Sequence, residues 1–296
     1  MKSKILVILG PTATGKSDLA VEIAQKFNGE IISADSRQVY KGMNLGTGKI
    51  TKKEMGGIPH YMLDIVNPNS IYNVAKYKVK AQRIISNIIR RGKLPIICGG
   101  TGFYIDSVVK NISLPDVPPN QKLRNELEKE NCERLMKQLK KLDPEISKTI
   151  DSKNKVKIIR AIEIAKKLGK VPAIKSEPIY DAIQIGLIAP DKVLKERIKK
   201  RLVKRIDLGM LKEGKRLHKQ GLSWKRMESL GLEYRYMARY SSGKISLEQM
   251  IKELNSKIWQ FARRQKTWFR RDESIKWYKV GEKTNREIIS YLKKVL

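Results

Sequence analysis

One motif near the start of the chain constrains its fold more than any other feature. Residues 10–17 read Gly-Pro-Thr-Ala-Thr-Gly-Lys-Ser and fit the pattern G-x-x-x-x-G-K-[ST]. An apolar run at 4–9, typical of a buried strand, precedes the motif, and a helical stripe of apolar residues at 17–27 follows it. In such a loop, backbone N–H groups, the helix N-terminus and the lysine hold phosphate oxygens. The expected phosphate-binding residues are Gly10, Pro11, Thr12, Ala13, Thr14, Gly15, Lys16 and Ser17, with the Ser17 hydroxyl placed for Mg²⁺.

Strands and helices alternate along the rest of the first third. Further strands are predicted at 30–34 and 94–98, and a helical stripe between them ends at Gly92. Such alternation with short loops is typical of a parallel sheet covered by helices. The sequence therefore predicts an α/β protein with a P-loop NTPase-like parallel sheet flanked by helices.

The pattern changes near residue 112. A proline-rich stretch at 114–120 reads as a linker, and residues 121–168 are charged and helical without a strand signal. An apolar strand at 182–188 then resumes the sheet, followed by a basic helix from Asp191, which can cap it, to about Asp207. A last strand at 275–280 precedes a C-terminal helix. We expect a helical insertion domain at 113–178, and a catalytic core formed by 1–112 and 179–296 with a basic helical C-terminal part.

The charge of the chain calls for a polyanionic partner. It has 63 basic and 30 acidic residues, a net charge of +33 and a pI near 10.1. Residues 191–280 alone carry 26 basic and 10 acidic side chains. Phosphates neutralised by Lys and Arg release counterions, so a nucleic acid fits this surface, although a lysine-rich genome is an alternative explanation.

Cysteine, histidine and apolar content exclude several other classes. Two cysteines cannot form a disulfide framework or a four-ligand zinc site, and only two histidines are present. The apolar runs are much shorter than the roughly 20 residues of a membrane span, and the start is too short for a signal peptide. We therefore expect a cytoplasmic protein that does not associate with membranes.

Two polar residues follow the second and third strands. Asp35 comes directly after the strand at 30–34, and Thr101 follows the strand at 94–98, which lacks a terminal acid. The carboxyl ends of parallel strands face the same crevice as the phosphate loop. We expect Asp35 and Thr101 to converge on the bound phosphate. The alternatives are that Asp35 caps a helix with Ser36 and that Thr101 is a turn residue.

Six motifs in the same order resemble those of the tRNA dimethylallyltransferase family, also called tRNA isopentenyltransferases. They are Gly-Pro-Thr-Ala-Thr-Gly-Lys-Ser at 10–17, Ser-Ala-Asp-Ser-Arg-Gln-Val-Tyr-Lys-Gly-Met at 33–43, Gly-Thr-Gly-Lys at 46–49, Pro-His-Tyr-Met-Leu-Asp at 59–64, Gly-Gly-Thr-Gly-Phe-Tyr at 99–104 and Ala-Arg-Arg-Gln-Lys-Thr-Trp-Phe-Arg at 262–270. The resemblance implies transfer of a dimethylallyl group from dimethylallyl diphosphate to N6 of adenine 37 of tRNA, next to the anticodon. It implies Mg²⁺ as cofactor and the donor diphosphate, rather than a nucleoside triphosphate, in the loop.

The resemblance also implies roles for individual residues. Asp35 would accept the proton from the attacking amine, and Lys16 and Thr101 would complete the catalytic set. The implied tRNA-binding residues are Asp35, Ser36, Arg37, Gln38, Thr101, Arg124, Arg160, Arg263 and Arg264. Relatives usually carry arginine at the position of Lys157, and Glu228 also departs from the usual pattern, so we assign neither a role.

Three other functions remain open from the residues alone. A P-loop nucleoside or nucleotide kinase would share the loop, the sheet and Mg²⁺, but it needs no charge of +33. An enzyme that prenylates free AMP needs no large basic surface. An RNA-binding protein with a degenerate site would not need Lys16, Ser17, Asp35 and Thr101 together. We expect the chain to act as a monomer.

Overall fold

The computed structural model describes residues 2–296, which form two compact units. The first, here called the core unit, consists of the chain up to Asn111 together with Pro178–Leu296. The second, here called the helical unit, is Ile112–Glu177. The chain therefore leaves the core unit once and returns to it once.

A six-stranded sheet organises the core unit, and every strand pair in it is parallel. The strand order is β3-β2-β4-β1-β5-β6. The strands are β1 (Ser3–Leu9), β2 (Gly29–Ala34), β3 (His60–Tyr61), β4 (Leu94–Gly99), β5 (Tyr180–Ile188) and β6 (Ile275–Lys279). The predicted parallel α/β sheet is thus confirmed. The two-residue strand β3 was not predicted, because two residues are too few to show a pattern.

Strand β1 lies near the middle of the sheet, between β4 and β5. Its apolar residues alternate between two cores: Ile5, Val7 and Leu9 pack on one face, and Leu6 and Ile8 on the other. A strand covered on both faces has no solvent side, which explains why its sequence is a continuous apolar run.

Nine helices of the core unit surround or extend the sheet. They are α1 (Lys16–Lys26), α2 (Val74–Arg90), α3 (Gly102–Val109), α8 (Asp191–Asp207), α9 (Met210–Lys219), α10 (Trp224–Glu228), α11 (Leu232–Ser241), α12 (Leu247–Phe269) and α13 (Thr284–Val295). The predicted basic helix α8 is confirmed, but the predicted cap by Asp191 is wrong. Pro190 occupies the cap position, and the Asp191 carboxylate accepts a hydrogen bond from Lys266 Nζ at 2.7 Å.

The helical unit contains α4 (Gln121–Leu127), α5 (Cys132–Leu142), α6 (Pro144–Thr149) and α7 (Lys155–Leu168). Asn or Asp stands at the N-cap of each helix, and its side chain accepts a backbone N–H. The unit has its own apolar core, which includes Leu127, Leu135, Leu139 and Ile162. In residues 2–296, no helix combines the length and the apolar composition needed to cross a lipid bilayer.

Candidate active site

The loop between β1 and α1 curls as the motif predicts. Gly10 has φ +138, and a Cβ there would lie 2.4 Å from the Leu187 carbonyl oxygen on β5. Glycine is therefore required at this position both by the backbone angle and by the close approach of β5. Inside the loop, Thr14 Oγ1 donates a hydrogen bond to the Pro11 carbonyl at 2.9 Å.

Lys16 begins α1, and its ammonium group lies within the curl of the loop. Nζ donates to the Pro11 carbonyl and, at 3.5 Å, to Thr14 Oγ1. Burial lowers the Lys16 pKa to about 8, since it removes water from the charged form. A desolvated ammonium attracts an anion more strongly than one in water.

Asp35 and Thr101 follow the carboxyl ends of β2 and β4, and the two segments are joined through Ser36. Thr101 Oγ1 accepts a hydrogen bond from the Ser36 N–H at 3.0 Å. Asp35 Oδ1 accepts the N–H groups of Arg37 at 2.8 Å and Gln38 at 3.4 Å, so one carboxylate oxygen caps the turn after β2. Thr101 is also the cap residue of α3, where its side chain makes no capping hydrogen bond.

A cavity of about 570 Å³ in the core unit unites the loop with these strand ends. Its basic lining residues are Lys16, Lys49, Arg197, Arg201, Lys204 and Arg205. Its acidic lining residues are Asp18, Asp35 and Glu54. Six cations facing three carboxylates suit a ligand with several negative charges.

Arg201 on α8 is a site residue that the sequence analysis missed. Its Nη2 donates to Thr12 Oγ1 of the phosphate loop. Burial lowers its pKa to about 10, and the nearby Arg205 acts in the same direction. A sequence signal was present, because Arg197, Arg201 and Arg205 recur every four residues and so share one face of the helix.

Gln265 on α12 was also not predicted, although it lies inside the Ala-Arg-Arg-Gln-Lys-Thr-Trp-Phe-Arg motif at 262–270. Its Oε1 accepts the Thr12 N–H at 2.9 Å, and its Nε2 donates to the Gly100 carbonyl at 2.8 Å. One amide therefore connects the phosphate loop to the segment after β4. The side chain is buried, at 7% exposure, which keeps both hydrogen bonds away from water.

The remaining predicted residues of the core unit differ in exposure. Arg37, Arg263 and Arg264 are exposed, and the Arg264 guanidinium lies 5.9 Å from the centre of the Phe261 ring. Gln38 lines the cavity, where its Nε2 donates to the Gly48 carbonyl at 3.3 Å.

Arg124 and Arg160 belong to the helical unit, where both hold one buried acid. Arg124 Nη2 lies 2.7 Å from Glu163 Oε2, and Arg160 Nη1 pairs with the same oxygen. Burial raises the Glu163 pKa, but the two guanidinium groups and the Asn120 N–H outweigh it and hold the pKa below its usual value. About a third of each arginine side chain stays exposed, at 32% and 33%.

The lining residues are compatible with magnesium held jointly with a diphosphate. Ser17 is exposed, and it lines the cavity together with Asp18 and Asp35. Within residues 2–296 no cluster of three or more His, Cys, Asp or Glu side chains could hold a metal ion by itself. Mg²⁺ commonly takes few protein ligands and completes its shell with substrate phosphates and water, so this donor set fits it.

The parallel sheet, the G-x-x-x-x-G-K-S loop and the cation-lined cavity define the class of P-loop α/β proteins. A sequence model described as IPP transferase matches residues 38–272. A protein of Treponema denticola, named tRNA dimethylallyltransferase 2, is 45% identical over 278 residues, covering 92% of this chain and 93% of the relative.

Solved structures agree with the sequence relatives. The tRNA isopentenylpyrophosphate transferase of Bacillus halodurans superposes with a TM-score of 0.76 at 35% identity, covering 99% of this chain and 96% of that one. A eukaryotic dimethylallyltransferase, described as acting on tRNA, superposes with a TM-score of 0.84 at 27% identity, covering 97% of this chain and 77% of that one. The chain belongs to the IPP transferase family, whose members are tRNA dimethylallyltransferases.

Proposed function

We propose that the protein transfers a dimethylallyl group from dimethylallyl diphosphate to N6 of adenine 37 in tRNA. The observation that carries this proposal is the shared cavity. It brings Lys16 of the phosphate loop, which suits a diphosphate, to the same space as Asp35, which suits a proton acceptor. Family membership supports the prenyl chemistry and the tRNA substrate.

The donor diphosphate would lie in the phosphate loop. Loop N–H groups, Lys16 and Arg201 would hold its oxygens, since all face the cavity and desolvation lowers the pKa of both half-buried cations. Ser17 would hold Mg²⁺ against the same oxygens, and the metal would neutralise charge on the leaving group. Holding this charge favours departure, because the C1–O bond breaks with its electron pair going to the diphosphate.

Asp35 would receive the proton. As the new bond forms between the adenine N6 and C1 of the donor, N6 becomes positively charged and must lose a proton. Asp35 Oδ1 is occupied by the turn, whereas Oδ2 accepts no hydrogen bond from the described residues. The carboxylate can therefore keep its position through one oxygen and act as a base through the other. Thr101 would support this arrangement through Ser36.

The tRNA would contact residues around and beyond the cavity. In the core unit we assign this role to Asp35, Ser36, Arg37, Gln38, Thr101, Arg263 and Arg264, and in the helical unit to the exposed parts of Arg124 and Arg160. Charge complementarity supports the assignment, because residues 191–280 have a net charge of +16. We also propose that the protein acts in the cytoplasm as a monomer, since one chain supplies every group named.

Mass spectrometry of bulk tRNA tests the proposal directly. Protein, Mg²⁺ and dimethylallyl diphosphate should add one dimethylallyl group, a C5H8 increment, to an adenosine next to the anticodon. Omitting the donor or using Lys16→Ala protein gives the control. Unmodified tRNA, combined with thermal stabilisation by ATP and not by dimethylallyl diphosphate, would instead indicate the kinase alternative.

A further inference from the structure

A second loop, besides the phosphate loop, forms a wall of the cavity. Residues 44–50 supply Asn44, Leu45, Thr47, Gly48, Lys49 and Ile50 to the lining. Within the loop, the Lys49 N–H donates to the Asn44 carbonyl at 3.0 Å. This segment has no helix or strand of its own, so other contacts must hold its shape.

A single carboxylate anchors three consecutive residues of the loop. Glu213 on α9 accepts three consecutive backbone N–H groups: Asn44 at 3.0 Å, Leu45 at 2.9 Å and Gly46 at 3.1 Å. The Tyr234 hydroxyl on α11 donates a fourth hydrogen bond, at 2.6 Å, to Oε1. Glu213 is 7% exposed, so its charge is satisfied by the loop and the tyrosine, not by water.

The loop in turn contacts two groups of the cavity. The Gly48 carbonyl accepts the hydrogen bond from Gln38 Nε2. The Gly48 α-carbon lies against Arg205, so closely that a Cβ would come within 1.5 Å of Nη2. Glycine, with φ +58, is therefore needed for the guanidinium to lie along the loop.

We propose that Glu213 is a positioning residue for the prenyl diphosphate site: it sets the shape of the 44–48 loop and, through Gly48, the positions of Gln38 and Arg205. It lines no part of the cavity among the described residues, so it acts on the donor only through the loop. This inference rests on the function proposed above. We expect Glu213 to affect the affinity for the donor, because Arg205 is a cation of the cavity lining and the loop is one of the cavity walls.

Glu213→Gln tests the inference while keeping the size of the side chain. Its amide NH₂ places donors where a carboxylate oxygen accepted N–H groups, so part of the loop loses its anchor. We expect the KM for dimethylallyl diphosphate to rise roughly tenfold, as for loss of one hydrogen bond to a charged group, with kcat changed less than threefold. Wild-type donor KM in this variant would overturn the proposal.

Tyr234→Phe is the matched control. It removes one hydrogen bond from the same carboxylate but leaves the three loop N–H groups and the ring that packs on Gly46. Both variants should lower the melting temperature, whereas only Glu213→Gln should raise the donor KM. An equal rise in both variants would mean general loss of stability and would refute a positioning role.

A second variant keeps the test decisive if Glu213→Gln does not fold. Glu213→Asp retains the charge but withdraws the oxygens by one methylene, so the donor KM should again rise; an unchanged value would count against the proposal. Wild-type protein is measured in parallel. If it transfers no prenyl group, the proposed function fails; if it does and the variants match it, only the role of Glu213 fails.

Discussion

The two units of the chain use partly buried positive charge in opposite ways. In the core unit, Lys16 and Arg201 are held by neutral oxygens, the Pro11 carbonyl and the Thr12 hydroxyl, and within residues 2–296 neither forms a salt bridge. In the helical unit, Arg124 and Arg160 share the carboxylate of Glu163. A cation without a counter-ion keeps its charge for a ligand, whereas a paired cation stabilises the fold first.

Asp35→Asn should give the largest effect on transfer. It tests whether the carboxylate that shares the cavity with the unpaired cations is the proton acceptor. Asparagine keeps an oxygen for the Arg37 and Gln38 N–H groups but cannot accept the amine proton. We expect single-turnover transfer to slow by roughly 10²–10⁴, with donor and tRNA affinities changed far less.

Two other roles of Asp35 give different outcomes. If Asp35 mainly holds Mg²⁺, the variant should lose donor affinity and recover with added metal. If it only caps the turn, stability should fall by about 1 kcal/mol with little loss of activity. Wild-type turnover would contradict the base assignment.

Lys16→Ala should have the next largest effect, because it removes a desolvated charge from the proposed diphosphate site. We expect donor kcat/KM to fall by roughly 10²–10³, the range for removing a preorganised group that stabilises the transition state, while tRNA affinity remains. Lys26→Ala, on the same helix but exposed and paired with Glu22, is the control. Loss of tRNA binding with donor binding retained would reverse our assignment.

The pH dependence of kcat/KM for the donor should report the titration of the Lys16 ammonium group. This parameter reports the free enzyme, in which burial lowers the Lys16 pKa to about 8. Above that pH the ammonium loses its proton, so kcat/KM should fall about tenfold per pH unit. Because the charge of Arg201 contributes to the lowered pKa, Arg201→Met should move the fall to higher pH. A flat profile between about pH 7 and 9.5 would contradict this view.

Glu163→Gln should affect transfer least and stability of the helical unit most. The folded-state pKa of Glu163 is lowered, so its stabilising contribution is present above the unfolded pKa and is lost as pH falls through the folded value. The glutamine variant should lose about 1–3 kcal/mol of the free energy of unfolding of the helical unit. This range allows for the weakening of the ion pairs by solvent, since both arginines are partly exposed, and the variant should lack the acid sensitivity. Hydrogen exchange of α7 measures the effect, and an unchanged donor KM is expected.

Features encoded in a few neighbouring residues were predictable, and long-range ones were not. The phosphate loop, the main strands and helix α8 follow from short patterns, and their ends agree within two residues. The hydrogen bond between Ser36 after β2 and Thr101 after β4 follows from the rule that parallel strand ends share a crevice, whereas convergence of Asp35 and Thr101 on a phosphate stays a prediction. The role of Gln265 was not predicted, because its hydrogen-bond partner Thr12 is 253 residues away in the sequence. Asp191 was wrongly predicted to cap α8, because its hydrogen-bond partner Lys266 is 75 residues away in the sequence.

The Gln265 amide has a consequence for how the two substrates affect each other. It is bonded to Thr12 of the phosphate loop on one side, and it lies one residue after Arg264 on the other. A shift of α12 when RNA binds would therefore move a hydrogen bond of the proposed donor site. Coupling free energies are reciprocal, so any factor by which RNA changes donor affinity through this amide must equal the factor by which donor changes RNA affinity.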